Sequence, residues 1–70
     1  MDLFSPPSDT IKPFSIDAAN KIFDICENYT REVGFRREVL ALLRAEWVNG
    51  NYLTLTEIKS FVASYWQSIQ

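Results

Sequence analysis

Apolar residues recur along this chain at helical spacing in three separate stretches, each bounded by residues that start or stop helices. In the first, Ala18, Ala19, Ile22, Ile25, Cys26, Tyr29 and Val33 fall on one face of a helix turning about 100° per residue. Asp17, Asn20, Asp24, Glu27, Asn28 and Arg31 fall opposite. Ser15 is a favourable N-cap, because its hydroxyl can accept a hydrogen bond from a free amide of the first turn, and Asp17 puts negative charge where the helix dipole favours it. The pairs Asp17/Lys21 and Glu27/Arg31 stand four residues apart with the acid first, the stabilising order. The pattern predicts a helix over 16–33, ended by Gly34 in the left-handed conformation.

Phe35, Val39, Leu40, Leu42, Leu43 and Trp47 form a second stripe and predict a helix over 35–48, stopped by Asn49-Gly50. Glu46 interrupts this stripe, falling between Phe35 and Val39 on the wheel. It reads either as an edge carboxylate paired with an arginine or as a switch group whose burial raises its pKa. The third start is the best specified. Thr54-Leu55-Thr56-Glu57 fits a capping box, and Leu53 can staple onto Ile58. From there Leu55, Ile58, Phe61, Val62, Tyr65, Trp66 and Ile69 cover about 140° of a helix predicted over 55–69.

Three amphipathic helices with short connections predict an all-α fold, a small three-helix bundle. The helical domain is 15–70. Residues 1–14 hold all three prolines (Pro6, Pro7, Pro13) among Ser5, Ser8, Asp9 and Thr10, which predicts an extended N-terminal arm. The arm's Leu3, Phe4, Ile11 and Phe14 either pack back on the domain or anchor it to a partner. Packing back is the favoured reading, because a small core needs apolar area. Tyr52 to Leu55 also admit a very short strand.

Composition narrows the functional classes. A chain of 70 residues holds one domain and buries only roughly 60% of its unfolded surface, so small domains of this kind often lean on disulfides, a metal or a second subunit. With one cysteine and no histidine, neither an internal disulfide nor a common zinc cluster is available, which leaves self-association, a homodimer, as the remaining support. Five Phe, three Tyr and two Trp within 47% hydrophobic content argue for a folded chain. Met1-Asp2-Leu3-Phe4 is acidic where a leader peptide carries positive charge, and no apolar run reaches the length of a membrane span, so the expected location is cytoplasmic, without membrane contact.

Candidate chemistry is sparse. Cys26 sits on the apolar face of the first helix with no histidine to activate it, and Asp17, Asp24 and Glu27 read as a hydrated surface. No enzyme, cofactor or metal is therefore expected. The third helix is more telling. Opposite its aromatic face stand Ser60, Ser64, Gln67 and Ser68, with Glu57 and Lys59 its only charges; interface cores are likewise poor in charge and rich in aromatics. The expected function is a small protein-interaction or regulatory module. Trp66, Tyr65 and Phe61 are its anchors, Trp47 is a further contact, Arg37 and Arg44 are steering charges on one helix face, and Glu46 is a candidate switch.

Arg37-Glu38-Val39-Leu40-Ala41-Leu42-Leu43, followed by Tyr52-Leu53-Thr54-Leu55-Thr56-Glu57-Ile58, resembles the opening of winged-helix and helix-turn-helix domains, in which a helix leads through a brief strand into a helix beginning Leu-Thr-x-x-Glu-Ile. The resemblance implies nucleic-acid binding through Arg36, Arg37 and Arg44. The families' recognition helix and wing have no counterpart in these residues, and the net charge of −2 opposes phosphate binding, so nucleic acid stands as the alternative partner class.

Overall fold

A computed structural model describes residues 9–70 and contains three helices, α1 (Ile16–Glu27), α2 (Val33–Val48) and α3 (Leu55–Ser68). Two of the three starts form as the sequence predicts. The Ser15 hydroxyl accepts from the Ala18 amide at 3.1 Å. At α3 the capping box closes in both directions, the Glu57 amide donating to the Thr54 hydroxyl at 3.2 Å and the Thr54 amide to the Glu57 carboxylate at 3.0 Å. Replacing Thr54 with alanine is expected to cost about 1 kcal/mol, read from urea denaturation.

The first helix corrects the sequence reading. It ends at Glu27, not near Val33, and Gly34 lies inside α2 without a positive φ. The chain turns over residues 28–32, where the Thr30 hydroxyl accepts from the Glu32 amide at 3.2 Å, a local bond that competes with helix continuation. Leaving the helix early lets α2 fold back so that Phe35 reaches α3. It also places Arg31 beyond α1, so Glu27 and Arg31 do not form a helical pair, and it leaves Val33 half exposed at the head of α2.

The left-handed glycine is Gly50, at φ 85°, where α2 stops. The two glycines should therefore respond oppositely to alanine. A Cβ at Gly34 meets nothing within 4 Å, so Gly34→Ala is expected to stabilise by about 0.5–1 kcal/mol. Gly50→Ala is expected to destabilise by about 1 kcal/mol through strain. Paired urea titrations of the two variants check both signs.

The helices run up, down and up. Phe35, near the start of α2, touches Tyr65 and Trp66 near the end of α3, and Trp47 near the end of α2 touches Tyr52 just before α3. The core is Ile22, Ile25 and Cys26 of α1, Phe35, Val39, Leu40 and Leu43 of α2, and Ile58 and Val62 of α3. Among the described residues no polar or charged side chain is fully buried, so this core rests on apolar burial alone.

The described part of the arm, residues 9–14, packs back. Thr10 pairs with Thr54 in a single antiparallel bridge, which is all that forms of the short strand admitted near Leu53, and the Ile11 amide donates to the Leu53 carbonyl at 2.9 Å. Ile11 lies against the core, and the buried Pro13 offers its carbonyl to Arg44 Nε at 2.7 Å. Phe14 remains half exposed beneath the Arg44 guanidinium, 5.7 Å from ring centroid to Cζ. Leu3 and Phe4 lie outside the described residues.

Candidate functional site

The aromatic face of α3 divides into two parts with different surroundings. Tyr65 stacks on Phe35 with centroids 5.6 Å apart and planes at 22°, while Trp66 meets the same ring edge-on at 5.3 Å and Tyr29 at 6.2 Å. Phe35 is only 6% exposed, so these two side chains close the end of the core. The neighbouring Glu38 carboxylate holds the Tyr65 phenol above the ordinary tyrosine value, because it favours the protonated hydroxyl, with burial and the repulsion of a second negative charge acting in the same direction.

Phe61, one turn earlier, packs on the core yet opens into a groove. The groove exists because α1 packs along both other helices, whereas α2 and α3 touch each other far less. Its volume is about 450 Å³, and it is lined by Glu46 of α2, Leu53 of the connection, and Thr56, Glu57, Ser60, Phe61 and Ser64 of α3. Leu42, one turn before Glu46 on α2, is 37% exposed. Glu46 is the one α2 residue in this lining, and helical spacing sets Leu42 and Glu38 in the same row beyond it. Glu38, Leu42 and Glu46 follow one another at four-residue intervals on α2, as Glu57, Phe61 and Tyr65 do on α3. No lysine or arginine lines the groove among the described residues.

Glu46 is half-buried, and its partner is Asn51 in place of the expected arginine: Asn51 Nδ2 donates to its carboxylate at 2.9 Å, and the Asn51 amide donates to its carbonyl at 2.8 Å. These bonds tie the end of α2 to the loop and fix the carboxylate beside the groove. Glu57 is fixed there by the capping box. Both acids thus carry charge at the groove on constrained side chains.

The remaining predicted residues lie elsewhere. Trp47 packs on Tyr52 with centroids 4.4 Å apart and joins Ile11, Pro13, Leu43, Leu53 and Ile58 around a narrow crevice under the arm. Arg44 holds Pro13 and Phe14, and Arg36 covers the Phe23 ring at 5.2 Å with its Nε buried and unpartnered. Arg37 is exposed. Two of the three arginines of the nucleic-acid alternative are thus engaged within the chain.

Cys26 is fully buried, and burial pushes its thiol up to about 11 from 9.0, with the Arg36 charge acting in the opposite sense. Folding thus favours the neutral thiol. The associated stability is present below the unfolded value and is lost as pH rises through the folded one. The stability difference between wild type and Cys26→Ala is expected to shrink between pH 9 and about 11, measured by urea denaturation. At pH 8 a thiol reagent should label Cys26 only at the rate of opening.

Sequence reasoning found Phe61 and Glu46 but did not join them, and it used Leu42 and Leu53 only as core and staple. The signal was present in two halves: an acid interrupting the α2 stripe, and the uncharged Ser60/Ser64 edge of α3. Among the described residues no three His, Cys, Asp or Glu side chains gather to hold a metal, and no helix is long and apolar enough to cross a membrane. Compared with models of protein families, with curated proteins and with solved structures, the chain matches none.

Proposed function

We propose that this domain is a non-enzymatic protein-interaction module that docks its partner in the groove between α2 and α3. Phe61 is the central anchor, Leu42 and Leu53 extend the apolar surface, and Tyr65 and Trp66 support one end through Phe35. The observation that carries the reading is the groove itself: an opening of about 450 Å³ between two helices, with an aromatic ring inside and charge confined to Glu46 and Glu57. Interfaces concentrate their binding energy in such aromatic anchors surrounded by polar edges. The packing of Arg36 and Arg44 within the chain favours a protein over nucleic acid.

The test is affinity capture from native lysate with the tagged full chain, nuclease-treated, beside a Ser64→Arg variant. Ser64 is exposed at the groove, so the variant fills it while leaving the core intact. A nuclease-resistant protein retained by wild type and lost from Ser64→Arg is the expected result. Equal retention by both variants would overturn the reading, and a catch that vanishes with nuclease would replace it with nucleic-acid binding.

A further inference from the structure

Resting on the docking reading above, we infer that the occupant of the groove is a basic amphipathic helix, with apolar anchors facing Phe61 and Leu42 and lysine or arginine flanking them to reach Glu38, Glu46 and Glu57. Charge complementarity points to a cationic occupant. Both walls carry acids, no lysine or arginine lines the opening among the described residues, and Glu46 and Glu57 are held in place by Asn51 and the capping box. A preset anionic surface lowers the cost of ordering on binding and raises encounter rates with a cationic partner. An acidic peptide or a phosphate backbone would meet the same carboxylates as repulsion.

The shape of the groove points to a helix. The walls are two antiparallel helices that α1 joins from one side, so a helix laid between them supplies the missing member of a four-helix arrangement, its side-chain ridges entering the groove between α2 and α3. Glu38 and Glu46 stand eight residues apart on α2, roughly 12 Å at the helical rise. A partner helix with cations about two turns apart and leucine-sized anchors between them matches that spacing. A second copy of this chain fits less well, because the outer face of its α1 carries three exposed acids, Asp17, Asp24 and Glu27, against one exposed lysine, Lys21.

The experiment uses the isotope-labelled full chain and two synthetic helical peptides of about 18 residues, roughly five turns, with identical leucine anchors and either lysine or glutamate at the flanking positions. The lysine peptide is expected to shift the amides of Leu42, Glu46, Phe61 and Ser64 and to bind at least about tenfold more tightly than the glutamate peptide. The double variant Glu46→Gln, Glu57→Gln should lose several-fold in affinity for the lysine peptide with the fold kept, since glutamine also completes a capping box. If the glutamate peptide binds the groove as well or better, the charge assignment is wrong while groove docking stands. If neither peptide shifts groove residues, both fall. Self-association that occupies the groove in the free protein would assign it to a second copy and overturn the inference.

Discussion

Replacing Phe35 with alanine is expected to unfold most of the protein at 25 °C. Phe35 is 6% exposed and is the ring on which both Tyr65 and Trp66 rest, so its loss removes the contact between the head of α2 and the tail of α3. Core phenylalanine-to-alanine changes cost about 3–5 kcal/mol, and a domain of this size typically has only about that much to lose. The cost arises because a rigid neighbourhood cannot collapse into the cavity, and here the Tyr65 and Trp66 rings would each lose the partner they pack on. Far-UV circular dichroism and urea titration check it. Phe35→Leu, which keeps most of the volume, should cost less than about 1.5 kcal/mol. Native helicity in Phe35→Ala with a loss below 1 kcal/mol would mean that the ring cluster is not a support of the fold.

The second large effect is expected at Arg44. Its Nε donates to the Pro13 carbonyl at 2.7 Å and its guanidinium covers Phe14, so one side chain of α2 fixes the segment that leads into α1. Hydrogen bonds to charged groups contribute about 1.5–3 kcal/mol, and Arg44→Ala should lose an amount in that range. Arg44→Lys should recover only part of it, because an ammonium lacks the planar fork that donates and stacks at once. The distinguishing readout is local. Hydrogen exchange at the Ile11 amide, bonded to Leu53, should accelerate in Arg44→Ala more than exchange at Val39 in the core centre. Uniform acceleration at both sites would show a general loss of stability in place of a released arm.

What the sequence revealed about this fold is what short-range chemistry controls. The capping box at Thr54 and the N-cap at Ser15 involve residues three apart, and the stop at Gly50 needs only one left-handed glycine, so each was legible from a few neighbours. The end of α1 was not. Apolar spacing continues through Tyr29 and Val33, but helix continuation competes with a turn at Thr30 and with the packing of Phe35 on α3, a contact thirty residues away in sequence. The same distinction applies to the site. The aromatic face of α3 was evident, yet which of its rings are supports and which opens to solvent depends on where α2 lies. Arg44 looked like a steering charge because the Pro13 carbonyl that it binds belongs to an arm whose placement periodicity does not encode.

Binding of a protein in the groove between α2 and α3 is tested by the affinity of the captured partner for two variants of equal added charge. Ser64→Arg places the arginine at the groove, and Asn20→Arg places it on the exposed outer face of α1. Isothermal titration is expected to show a loss of about tenfold or more for Ser64→Arg and wild-type affinity for Asn20→Arg. Equal affinities for the two variants, or a loss confined to Asn20→Arg, would contradict binding in the groove.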